Sequence, residues 1–283
     1  MKLSIYFLFI VVALTGCNDA NTSKKEIDEA KKSLTIPQTK VEDPSETNNA
    51  QSNQEDWYWK NTTKSNNNKF ENWEAGEVSL VMKYKMKQSD PQPRTITVGS
   101  IDAEGNIQIK LPSEIETETK LDNLNNLVFY NLHDISNITY ENGNTGYFSN
   151  TTLQVEKNGV SIGSLTMGNA VRTTYNLVNQ STLTMGDEGY ILYLAYLDNA
   201  SSIKGSEIRS NKVRRDGTNT IEAETTVIYD LDFKSGWNFV KTEVIGNYPL
   251  EHERGLNASW FKKHGHTVLE KLPSDAAYFF RKL

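Results

Sequence analysis

Cysteine is almost absent, with one residue, Cys17, in 283. A single thiol excludes an intramolecular disulfide, a CxxC redox pair and a Cys-rich zinc site, so stability has to come from a hydrophobic core. Histidine is scarce as well, with 4. The sequence contains no GxSxG elbow, HExxH helix, P-loop or GxGxxG fingerprint, which are the patterns that would announce a nucleophile, a catalytic metal or a phosphate cradle. No cofactor is therefore expected. No apolar run reaches the roughly 20 residues that span a bilayer as a helix. Charge is weak too: a net −6 and a pI near 5.4 give no field able to gather polyanions, so no nucleic-acid partner is expected.

What is present begins at the N-terminus. Lys2 precedes the apolar run Ile5, Tyr6, Phe7, Leu8, Phe9, Ile10, Val11, Val12, Ala13, Leu14, which has the length of a signal-peptide core. Leu14-Thr15-Gly16-Cys17 follows, with the layout of a lipobox. Residues 1–16 are expected to be a lipoprotein signal peptide and Cys17 the lipid-modified residue. More than one acyl chain on that cysteine suffices for stable membrane anchoring. Asn18 is not the aspartate that commonly retains such proteins at the inner membrane, so the expected address is the outer membrane.

Residues 17–68 are rich in Asn, Ser, Thr, Lys, Glu and Gln and bury too little to offset their conformational entropy, so they read as a tether. Trp57, Tyr58 and Trp59 interrupt it. They mark either the point where the chain docks onto its folded domain or an exposed platform on which sugar rings stack.

From residue 69 to 283 the pattern turns to short strands. Val78, Leu80, Met82, Tyr84 and Met86 alternate with Ser79, Lys83, Lys85 and Lys87, the period of a half-buried strand. Strands are expected at 95–101 and 107–111 around the Asp102–Asn106 turn, and at 153–156 and 160–165 around Asn158-Gly159. Residues 190–197 form a nearly continuous apolar run, expected as a core strand. Residues 220–233 and 237–244 are β-rich, with Trp237 expected to be largely buried beside the Lys234-Ser235-Gly236 turn. Residues 267–269 and 278–280 read as closing strands, and 113–126 as a short helix or loop. The expected class is all-β, a β-sandwich, one large or two small with a sub-boundary near 165–185.

The run Tyr229-Asp230-Leu231-Asp232-Phe233-Lys234-Ser235-Gly236-Trp237-Asn238, the segment from Gly189 through Leu197 into Ser202–Ser206, and the closing Leu272-Pro273-Ser274-Asp275 with Tyr278-Phe279-Phe280 resemble uncharacterised β-sandwich lipoproteins of Bacteroidota and some other bacteria. The resemblance covers roughly residues 70–283 and implies fold and envelope location, with no catalytic residues to carry over. Gly99–Ile107 is similar, more weakly, to a hairpin of prealbumin-like and carboxypeptidase-regulatory-like modules.

The metal candidates are His264 and His266, with His252, Glu251 and Glu253 nearby. Two imidazoles and a carboxylate can hold zinc. Lys262 and Lys263 would oppose a divalent ion, however, and Gly265 suggests a mobile turn, so surface histidines are expected. Asp102, Glu104 and Asn106 resemble the start of an EF-hand loop, but Ser113 stands where the bidentate glutamate belongs. The expectation is a lipid-anchored, non-catalytic envelope module that binds a protein or glycan partner. The alternative is a polymer-degrading hydrolase.

Overall fold

The computed structural model describes residues 57–84, 92–117, 119–123, 126–127, 130–131, 134–179, 186–215, 219–251 and 257–283. Cys17 and the signal-peptide segment, Met86, His252 and Glu253 lie outside the described residues, as does the side chain of Glu251.

The chain is all-β with a sandwich-like fold, built mainly from one large sheet. In chain order its first strands are β1 (Thr62–Lys64), β2 (Val78–Tyr84), β3 (Arg94–Ile101) and β4 (Ile107–Ile109). A two-residue pair, β5 (Asn126–Leu127) and β6 (Tyr130–Asn131), stands apart. Then come β7 (Ile138–Glu141), β8 (Tyr147–Asn150), β9 (Leu153–Lys157) and β10 (Val160–Gly168), followed by the helix α1 (Val171–Val178). The long strands close the chain: β11 (Gly189–Leu197), β12 (Ser201–Arg214), β13 (Thr220–Phe233), β14 (Gly236–Glu251), β15 (Asn257–Leu269) and β16 (Ala277–Lys282).

Turn chemistry sets the hairpins where the sequence places them. Asn158 and Gly159 both take positive φ, 53° and 78°, the geometry a two-residue connection needs to match strand twist. At the β3–β4 turn Gly105 has φ 86°, and a Cβ there would lie 2.2 Å from the carbonyl oxygen of Phe70. The Asp102 carboxylate closes that turn. Its Oδ1 accepts from the backbone N–H of Glu104 and Asn106, and its Oδ2 from the Asn106 amide. These bonds hold its pKa below the usual carboxylate range.

β11 explains why so apolar a strand was needed. Its residues Ile191, Tyr193, Ala195 and Leu197 face one core, while Tyr190, Leu192 and Leu194 face another. Alternation sends successive side chains to opposite faces, and here both faces are covered, so polar residues have no place on either. The first core lies within the run β8–β11–β14–β15–β13–β12–β7, in which every pairing is antiparallel except β13 with β15. Its end strands β7 and β8 are joined directly by residues 142–146. The second core sits under β2, β3, β4, β9, β10 and β16.

Two expectations are revised. The folded part reaches back past residue 68, because Thr62–Lys64 pairs with β16 and Tyr58 is 4% exposed. A polar composition hid this: β1 contributes backbone ladder bonds, not apolar side chains. Near 165–185 the sheet is continuous among the described residues, since β11 returns from α1 to pair with the end of β10 through Met167↔Leu192 and Gly168↔Ile191. Trp237 packs against the second core with only part of its surface exposed; its indole N–H donates to the Pro112 carbonyl at 2.8 Å, and its ring meets Tyr196 edge-on at 5.3 Å.

Candidate functional site

His264 and His266 are not on the surface. Both sit in β15, 0% and 1% exposed, and Gly265 between them belongs to the same strand and pairs with Glu243 and Ile228. The i, i+2 spacing sends both imidazoles into the first core. His266 stacks on Tyr229 at 4.4 Å and His264 on Phe261 at 3.8 Å. The Nδ1 of His266 lies 2.9 Å from the Thr242 hydroxyl, which also bonds the Tyr193 hydroxyl. Its Nε2 is buried with no hydrogen-bond partner among the described residues. Donation of Nδ1–H to Thr242 leaves a lone pair on Nε2 rather than an unused donor, the cheaper of the two tautomers. Burial, and then the neighbouring His264, lower the His266 pKa to about 3, so the ring is neutral at physiological pH. The two imidazole centroids are 6.5 Å apart and cross at 82°. Among the described residues no group of three or more His, Cys, Asp or Glu side chains comes together to hold a metal.

The other sequence candidates converge on a different place. Trp57, Tyr58 and Trp59 dock on the outer face of β16, where Tyr58 joins Val171, Ala277 and Phe279 in a small third apolar cluster. The Tyr58 hydroxyl donates to Asn176 Oδ1 at 3.0 Å. Asn176 in turn donates to Asp187 Oδ2 at 2.7 Å, and the same carboxylate takes the Arg172 Nε–H at 2.6 Å. This buried polar chain fixes Tyr58 against α1, and its neighbours in sequence are left outside. Trp57 is 48% exposed and Trp59 38%. Trp57 packs edge-on to Tyr58 at 4.9 Å and to Tyr175 at 5.2 Å, and Trp59 lies 6.1 Å from Phe279. Docking and exposure are thus combined in the same three residues.

Arg281, which the sequence reading passed over, lies at the centre of this arrangement. Its guanidinium sits 4.4 Å from the Tyr175 ring centre and 5.2 Å from that of Trp57, within cation–π reach of both. Strand register supplies the surroundings. Thr62 pairs with Arg281, Arg281 with Ser164, and Ser164 with Gln154, so the four side chains form one polar row across β1, β16, β10 and β9. The next row on that face brings Phe279 beside Thr166. Above the rows α1 presents Val171, Thr174, Tyr175 and Val178, residues at i, i+3, i+4 and i+7, the spacing of a single helical face. That spacing was the available signal for α1 and its wall. It was obscured by a helix only eight residues long with polar residues on its stripe.

Floor and wall enclose a cavity of about 280 Å³. A larger one, about 460 Å³, lies on the other face of the β1–β16 pair and is lined by Trp59, Asn72, Trp73, Glu74, Phe280 and Lys282, among others. Both count Thr62 among their lining residues. Each opens beside a partly exposed tryptophan and carries hydroxyl or amide groups and one basic side chain. This is the make-up of a site that stacks and hydrogen-bonds a polar ring.

Compared with protein families, with curated proteins and with solved structures, the chain matches no family model, no curated protein and no structure.

Proposed function

We propose that the protein is a lipid-anchored envelope module that binds a glycan without turning it over. The carrying observation is the pairing of two partly exposed tryptophans with two polar cavities on either side of the β1–β16 edge. Flat aromatics beside hydroxyl-lined cavities suit sugar rings, whose C–H faces stack and whose hydroxyls exchange hydrogen bonds. The lipobox around Cys17 supports anchoring to the outer membrane, and a tether of about forty residues reaches roughly 35 Å on a flexible-chain estimate. The same lipobox and the strand-Lys-x-Gly-Trp-Asn run support kinship with the β-sandwich lipoproteins named above.

Titration of the purified protein with oligosaccharides, followed by tryptophan fluorescence, tests the binding. Saturable quenching should appear and be lost in the Trp57→Ala/Trp59→Ala variant, while product analysis shows intact oligosaccharide. Hydrolysis that disappears when one acidic residue is changed would replace this reading with the hydrolase. Cys17→Ala should move the protein to the soluble fraction; a variant that still sediments with membranes refutes the anchor.

A further inference from the structure

We infer that the Arg281 cavity selects an acidic sugar, a hydroxylated ring bearing one monoanionic oxyanion group. This rests on the glycan reading and adds the charge of the ligand to it. Arg281 has no ion pair among the described residues, whereas Arg172 nearby is held by Asp187. Its Nη1 is buried with no hydrogen-bond partner among them. Two further buried atoms in that state, Thr62 Oγ1 and Thr152 Oγ1, belong to residues lining the same cavity, and Gln154 Oε1 is a fourth, one step along the polar row. Buried polar atoms are normally satisfied, because an unmet one forfeits its hydration for nothing. Several on one cavity wall mark a place where the missing partner is a ligand or solvent.

The charge of that ligand follows from the lining. Among the described residues it contains Arg281 and no aspartate or glutamate, so the field they set favours an anion. The guanidinium lies beside the Tyr175 and Trp57 rings, and its Nη1 has no partner among the described residues, which leaves that end of its N–H fork to a ligand. A planar fork of donors matches the two oxygens of a carboxylate, or two of a sulfate, in a bidentate pair. One cation suits one negative charge. The hydroxyls of Ser164 and Thr166 around it suit the remaining ring hydroxyls.

The test is calorimetric titration of the full-length protein with oligogalacturonate, with its methyl ester, which keeps the rings and removes the charge, and with a sulfated galactose oligosaccharide. The acid, the sulfated sugar or both should bind at least about tenfold tighter than the ester; comparing the first two tells which oxyanion is preferred. Arg281→Gln should erase that preference while leaving ester binding in place. Arg281→Lys, which keeps charge but loses the fork, should retain part of it. Lys234→Gln removes an exposed charge in the turn before β14 that lines neither cavity, and should leave the preference intact. Equal binding of acid, sulfated sugar and ester refutes the charge selection alone, as does a preference that survives Arg281→Gln or falls equally with Lys234→Gln. Absence of binding to all three overturns the glycan reading and this inference together.

Discussion

Acid should loosen the first core through His266. The ring is buried against Tyr229 with its pKa lowered from 6.5 to about 3. In the unfolded chain it returns to its ordinary value, so between pH 6.5 and 3 the unfolded state binds the extra proton. Stability therefore rises with pH across that window and is fully present above pH 6.5. At pH 4.5 the unfolded ring is about two pH units below its pKa while the folded ring is still neutral, which costs on the order of 3 kcal/mol relative to pH 8. With a urea dependence of about 3 kcal/mol/M, that lowers the unfolding midpoint by about 1 M. Carboxylates titrate in the same range, so the measurement is the difference between the wild type and His266→Gln, which retains a partner for Thr242 but has no proton to take up. Urea unfolding at pH 8 and pH 4.5 should show a smaller acid loss in the variant, by roughly that amount. Identical acid losses in the two proteins would refute the account of His266 as a neutral, buried ring.

Gly105→Ala should be severely destabilising, because its φ of 86° disfavours a side chain and the new Cβ would meet the Phe70 carbonyl at 2.2 Å; a loss of about 3 kcal/mol or more in urea unfolding is expected, and a loss below about 1 kcal/mol would show that the turn can relax. Trp237→Ala should cost on the order of 2–3 kcal/mol, less than a fully buried tryptophan, whereas Trp237→Phe should cost only about 1 kcal/mol for the indole bond to Pro112. Equal losses from the two would mean that the hydrogen bond outweighs the packing.

Strand content was legible in the sequence wherever one chemistry dominated. The alternation of Val78, Leu80 and Met82, the Asn158-Gly159 hairpin and the apolar run 190–197 each have a local physical cause, and each appears as a strand or turn. The three-residue aromatic cluster was legible as a docking point or a platform, and the structure uses Tyr58 for contact while leaving Trp57 and Trp59 partly exposed. The extent of β12 and the β15 course through Lys262-Lys263-His264 were not legible, because in these strands the exposed face is charged and the buried face carries polar or aromatic residues. His264 and His266 were misjudged for the same reason. Lys262 is exposed and Lys263 half-buried, and the burial of the histidines depends on Tyr229, Thr242 and Phe261, which are distant in sequence or face the other way in a regular pattern.

The sequence by itself determined the local facts: one thiol and hence no intramolecular disulfide, the period-two strands and the turns that join them. These depend on neighbours within a few residues. Tertiary structure alone decided which strands became neighbours, that β11 would have a core on each face, and that Thr62, Arg281, Ser164 and Gln154 would stand in one row. The reason is that register between strands more than a hundred residues apart is fixed by the whole sheet closing over its two cores. A cavity assembled from three strands and a short helix therefore has no contiguous trace in the chain.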